Sequence, residues 1–142
     1  MNLFKSKLMN RIAVGKAVGL VVGLCGFIML PFVFENSDLY LRFAILFWYT
    51  TIGAFIGVMG IMDKHPVLKI PMPFWFRGPM IGAWMNFVLV LFMHDKLISL
   101  MQGTALSGHS PFWLIAEGMI IGFIIDLIAT KVVGDGKNLI KD

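Results

Sequence analysis

The sequence predicts an all-α fold, an integral membrane bundle of four spanning helices that forms one domain over residues 1–142. Hydrophobic residues make up 58% of the chain and charged residues 14%, whereas soluble domains average about 45–50% and about 25%. The apolar residues also form four long runs, and the basic residues cluster between alternate runs. These features exclude a disordered chain, a basic nucleic-acid-binding module and a soluble two-domain enzyme.

The four apolar runs are long enough to cross a membrane. A spanning helix needs about 20 residues, because each residue rises about 1.5 Å through a hydrocarbon core about 30 Å thick. The predicted spans cover about residues 12–34, 39–62, 80–101 and 111–133. The third is the weakest, since the charged triplet that begins at His94 falls inside it. Ser110 and Pro111 favour the start of the fourth, because serine caps helices and proline suits a first helical turn.

The connection between the second and third spans, residues 63–79, has an unusual composition. It contains four prolines among aromatic and aliphatic residues, and prolines disfavour a continuous helix. Aromatic residues concentrate at the membrane–water interface. The segment is therefore predicted to be a short interfacial connection, with a gate, a re-entrant element or a partner-docking strip as the alternative.

The basic residues predict an orientation. Ten of the twelve lie in three places: around the start of the first run, in the 63–79 connection and at the C-terminal end. Only Arg42 and Lys96 lie on the other side. The positive-inside rule then places both termini in the cytoplasm, which requires an even number of spans. No small-x-small cleavage site follows the first run, so it is expected to be retained in a multi-pass protein of the bacterial inner membrane.

Glycines recur at four-residue spacing on three of the predicted helices. Small residues at this spacing let helix backbones approach closely, and such contacts drive helix association in lipid. The predicted packing residues are Gly15, Gly19, Gly23, Gly53, Gly57, Gly118 and Gly122.

Two carboxylates within the fourth run are candidate functional groups. A charge at mid-membrane is costly, so it normally faces protein or water and has a partner. Glu117 and Asp126 are nine residues apart, which at about 100° per residue places them on opposite helix faces. We therefore expect two intramembrane clusters, unless these residues are structural pairs that only fix helix order. The inner cluster contains Asp126, Asn86 and Lys16, and the outer cluster contains Glu117, Arg42 and His94.

Signatures of catalysis are nearly absent. His94 and His109 flank one outer loop, but three scattered histidines in all are weak support for a metal site. The single cysteine, Cys25, lies within an apolar run and is expected to pack rather than react. No nucleophile elbow or glycine-rich phosphate loop occurs. The sequence thus predicts no catalytic residue, metal or cofactor.

Three functional classes follow in order of expectation. The first is a non-catalytic subunit that assembles, stabilises or regulates a larger membrane complex. The second is a small oligomeric channel or transporter that uses the buried carboxylates, and the third is a membrane-embedded enzyme acting on lipid. The expected partners are membrane lipids and either further copies of the chain or other membrane subunits, with no nucleic acid.

Overall fold

Four long helices make up most of the protein. The computed structural model describes residues 6–141, and no strand occurs within that range. The helices are α1 (Lys7–Val33), α2 (Leu39–Met59), α3 (Phe74–Met101) and α4 (Leu114–Val133), with short 3-10 helices at Pro111–Trp113 and Gly136–Leu139. All four long helices, the last extended by its 3-10 turn, are long and apolar enough to cross a membrane. This confirms the predicted all-α class and the four helices.

Side-chain caps determine where several helices begin. Ser6 accepts a hydrogen bond from the Met9 amide before α1, and Asp38 accepts one from the Leu41 amide before α2. Each cap satisfies an amide that has no partner within its helix. Ser110 caps the turn that leads into α4, as its sequence indicated.

Helix α3 is longer than predicted. It begins at Phe74 rather than at residue 80, so only residues 60–73 lie between α2 and α3. Pro73 is its N-cap residue and Pro79 lies one turn inside it; the latter removes a single backbone hydrogen bond near the helix start. Met93 has non-helical backbone angles, φ −118° and ψ 16°. The charged triplet therefore follows a kink instead of continuing a straight helix.

The helices form two antiparallel hairpins, α1 with α2 and α3 with α4, through glycine contacts. A Cβ atom on Gly15 would overlap the carbonyl oxygen of Gly53, and one on Gly82 would overlap that of Gly118. The predicted packing glycines all lie at such backbone contacts. Gly78 and Gly82, which the sequence argument omitted, provide the α3 side of the second hairpin.

The two hairpins meet around a small apolar core in the middle of the bundle. Its buried members are Tyr49, Ile52, Ile56, Ile81 and Ile125. One end of the bundle, called here the terminal end, holds the start of α1, residues 60–73 and residues 134–141. The opposite end, called the loop end, holds residues 34–38 and 102–110. The polar side chains discussed below lie on either side of the core.

Candidate functional site

A buried ion cluster, called here the arginine cluster, joins the hairpins near the terminal end. It consists of Arg11 from α1, Arg77 from α3 and Asp126 from α4, each at most 1% exposed. Arg77 donates from Nε to Asp126 Oδ2 at 2.8 Å and from Nη2 to Oδ1 at 2.9 Å. Arg11 Nη2 also donates to Oδ1. The two-pronged contact of Arg77 is the strong geometry for a guanidinium on a carboxylate.

The remaining guanidinium hydrogen bonds of the cluster tie the chain's C-terminal segment to the bundle. Arg11 Nη1 donates to the Gly134 carbonyl at 2.6 Å and to Thr130 Oγ1 at 3.1 Å. Arg77 Nη2 lies 3.3 Å from Asp135 Oδ2. Two positive charges thus face two negative ones, which offsets much of the cost of burying them.

The connection between α2 and α3 also contacts this cluster. Arg77 Nη1 donates to the carbonyls of Met62 and Met72, at 3.3 and 3.2 Å. The Gly136 amide donates to the Gly60 carbonyl at 2.7 Å. The cluster therefore closes the terminal end of the bundle, and Asp126 has no exposed surface at which it could bind a ligand.

The residues expected beside Asp126 lie elsewhere. Lys16 is exposed on the outer surface of α1, because five residues of helix rotate it far from Arg11. Asn86 is fully buried at the middle of the bundle, where its amide accepts from Trp48 Nε1 at 3.1 Å and donates to the Leu114 carbonyl at 2.8 Å. Asp126 is paired with two arginines that the sequence argument treated as orientation signals.

A pattern in the sequence could have identified one of these partners. Arg11 precedes Gly15, Gly19 and Gly23 at the same four-residue spacing, so it lies on the packing face of α1. A basic residue on a small-residue stripe points towards a neighbouring helix rather than towards a membrane surface. Asp126 continues the glycine stripe of α4 in the same way.

The second polar site is a cavity of about 460 Å³ between the four helices, in the half of the bundle towards the loop end. Its walls are mostly aliphatic, with contributions from all four helices. Glu117 contributes a carboxylate, and Tyr49, Trp48 and Trp113 contribute aromatic rings. Cys25 also lines the cavity and is exposed there.

Glu117 has few partners in this cavity. The Tyr49 hydroxyl interacts with its carboxylate and with the Asn86 side chain. The Glu117 Oε2 atom is buried and has no hydrogen-bond partner within residues 6–141. An unsatisfied buried carboxylate oxygen in an apolar wall is uncommon and typical of functional sites.

The residues expected beside Glu117 do not line the cavity. Arg42 Nε donates to the Phe27 carbonyl at 2.8 Å, and the guanidinium carbon lies 4.3 Å from the centroid of the Phe27 ring. His94 lies against Asp95 and the Phe112 ring. Similar depth along the helices was therefore not enough to bring these side chains to the carboxylate.

The aromatic residues of the site were not predicted from the sequence. Tyr49 precedes Gly53 and Gly57 at four-residue spacing. This spacing places it on the packing face of α2 and could have identified it as a buried residue.

Comparisons with protein-family models, curated proteins and solved structures found no match for the chain.

Proposed function

We propose that the protein is an integral membrane carrier that binds a small amphipathic molecule in the cavity at Glu117. The observation that carries this proposal is a carboxylate with an unpartnered buried oxygen in an otherwise apolar cavity. Ionisable residues within spanning helices commonly mark substrate or ion pathways. The sequence predicted that a transporter would use both buried carboxylates, and the present proposal assigns binding to Glu117 alone.

The size and lining of the cavity support a small organic ligand. Small-molecule sites enclose about 300–1,000 Å³ and combine apolar walls with a few polar groups that orient the ligand. The cavity encloses about 460 Å³ and is partly open to its surroundings. The arginine cluster closes the opposite end of the bundle, so the ligand would enter from the loop end or from the lipid around it.

The position in the membrane belongs to the same proposal. Both termini would lie in the cytoplasm of a bacterial cell, with the single domain spanning its inner membrane four times. The terminal end would then face the cytoplasm and the cavity would open towards the outer half of the bilayer. Residues 60–73 and the first turn of α3 would lie at the inner interface, where their prolines and aromatic rings are common.

The binding step can be tested with an uncharged fluorescent probe, 1-aminoanthracene, on protein in lipid nanodiscs. We expect saturable binding at about one probe per protein, since the size of the cavity at Glu117 suits one small molecule. Ala44→Trp adds an indole to the cavity wall and should abolish saturable binding. Ile120→Trp, on the exposed face of α4, is the matched control and should leave it intact. Absence of saturable binding in the unmodified protein would overturn the proposal.

A second candidate function, a subunit of a larger membrane complex, is favoured by Lys16. This side chain is exposed on a shallow groove that also exposes Ala17, and no carboxylate within residues 6–141 pairs with it. A charge on a spanning helix normally has a partner, and small residues favour close helix contact. A second chain could supply both the carboxylate and the helix.

Purification from the native membrane in mild detergent tests this second candidate. Lys16→Gln should lose a membrane chain that co-purifies with the unmodified protein. Lys131→Gln changes another exposed lysine near the terminal end and should retain that chain. Identical co-purifying chains for both variants would count against Lys16 as a contact with a partner.

A further inference from the structure

We infer that the ligand of the cavity is a lipophilic organic monocation, paired with the Glu117 carboxylate and surrounded by aromatic rings. This inference rests on the proposed function, since it names the class of molecule that the same cavity binds. Three observations support it: the charge of the lining, the free carboxylate oxygen and the nature of the walls.

The charge of the lining favours a cation. Among the described residues that line the cavity, the titratable side chains are Glu117, Tyr49 and Cys25, and none is basic. Arg42, which the sequence predicted beside Glu117, donates to the Phe27 carbonyl and does not line the cavity. A buried carboxylate is costly unless it is paired, so a positively charged ligand would supply the counter-ion that the bundle does not.

Among the described residues, the carboxylate lacks a partner at one of its two oxygens. Tyr49 interacts with it from α2, while Oε2 has no hydrogen-bond partner in the part of the chain that the structure describes. A cation that reaches the Glu117 carboxylate would supply the partner that Oε2 lacks, and because Oε2 has no accessible surface in this conformation, side chains of the cavity wall must move to admit it. An anion would meet the carboxylate with no basic group to compensate for it.

The walls favour an organic ligand over a metal ion. Hard inorganic cations such as Ca²⁺ require six or more oxygen ligands, whereas the cavity offers one carboxylate and aliphatic walls. The rings of Trp48, Trp113 and Tyr49 also line it, and aromatic faces attract cations that have lost their water. A bulky cation with apolar substituents matches both features.

Two ions of nearly the same shape and opposite charge test the inference. Tetraphenylphosphonium is a monocation, and tetraphenylborate is its anionic counterpart. Equilibrium binding of each to the protein in nanodiscs of zwitterionic lipid separates the effect of charge from that of size. We expect saturable binding of the cation at one site per protein and none of the anion.

Variants of two glutamates test whether the preference for a cation depends on Glu117. Glu117→Gln keeps the size of the side chain but removes its charge, and should weaken tetraphenylphosphonium binding on the order of tenfold or more, as expected for loss of a buried charge partner. Glu35→Gln, at an exposed position in the 34–38 link, should bind like the unmodified protein. Retained 1-aminoanthracene binding by Glu117→Gln would show that the variant is folded.

The outcomes distinguish this inference from the proposed function. If 1-aminoanthracene binds but the cation and the anion bind equally, or Glu117→Gln binds the cation normally, the charge inference is wrong and the binding cavity stands. If none of the three probes shows saturable binding, both proposals fail.

Discussion

Two carboxylates on one helix have opposite surroundings. Asp126 accepts hydrogen bonds from two arginines and from Thr130, and its side chain has no exposed surface. Glu117 faces an apolar cavity with one oxygen unpartnered. Because removing one partner of a buried ion pair leaves the other charge uncompensated, and an unpaired charge within a spanning helix normally marks a functional site, we propose a structural role for Asp126 and a binding role for Glu117.

Removing the charge of Asp126 should destabilise the bundle strongly. Asp126→Asn leaves two buried guanidinium groups without their shared carboxylate, and breaking a buried ion pair in this way costs about 3–5 kcal/mol. The free energy of unfolding, measured by SDS titration in mixed micelles, should fall by about that amount.

Asp95 provides the matched control for this experiment. Its side chain is fully exposed and its one ion-pair contact is with the half-exposed His94. Asp95→Asn should leave the unfolding midpoint unchanged, because exposed ion pairs contribute little. Equal unfolding midpoints for the two variants would contradict the structural role assigned to Asp126.

At the scale of elements, the glycine-packed hairpins are the structural units. Within each hairpin, backbone touches backbone. Between the hairpins, the contacts include the central isoleucines, Asn86 and the arginine cluster. Close backbone approach lets dispersion forces hold helices together where lipid offers no hydrophobic advantage. The hairpins are therefore expected to behave as rigid bodies.

The hairpin contacts can be tested by adding one methyl group. Gly82→Ala should destabilise the protein by about 1–3 kcal/mol, the usual cost of overpacking, because the new Cβ would overlap the Gly118 carbonyl. Gly26→Ala is the comparison, since its new Cβ would meet one side-chain methyl group of Ile45 and no backbone atom. Thermal unfolding in detergent should show the larger loss for Gly82→Ala; the reverse order would refute the packing argument.

The C-terminal segment is a second element whose contribution can be measured. Leu139 is 2% exposed, whereas the neighbouring Ile140 is 60% exposed. Leu139→Ala should cost about 2–5 kcal/mol, the usual range for a buried leucine. Ile140→Ala should have little effect on the same unfolding curve. Equal losses of stability in the two variants would mean that the C-terminal segment does not pack against the terminal end.

At the scale of the whole molecule, the two ends differ in character. The terminal end is closed by the arginine cluster and by residues 134–141, and the loop end contains the cavity. In alternating access, the binding site of a carrier opens to one side of the membrane at a time. This asymmetry is consistent with a conformation open towards the loop end.

The proposed orientation can be tested with reporter fusions. A fluorescent protein fused after residue 142 should be fluorescent, and alkaline phosphatase inserted within residues 103–108 should be active. Both results follow if the ten basic residues that the sequence assigns to the cytoplasmic side lie there. A non-fluorescent C-terminal fusion together with an inactive phosphatase insertion would contradict the proposed orientation.

Composition and residue spacing were sufficient to predict the helical class, the number of long helices and the glycine faces. These properties depend on the length and hydrophobicity of each apolar run and on the 3.6-residue period of the helix, all of which are visible in the sequence alone. The opposite faces of Glu117 and Asp126 followed from the same period. The start of α3 could not be predicted from this period. Pro79 is tolerated there because it lies near the helix start, where the first amides have no hydrogen-bond partner within the helix and the loss of one more bond costs little.

The partners of the carboxylates depended on tertiary structure. Arg11 reaches Asp126 because long side chains extend along helix surfaces and because α1 crosses near the end of α4. Arg42 turns to a carbonyl on α1, leaving Glu117 to Tyr49. Spacing along one helix determines the face of each residue, but which faces meet is decided by how the two hairpins pack. That packing left one carboxylate enclosed by arginines and the other in the wall of an apolar cavity.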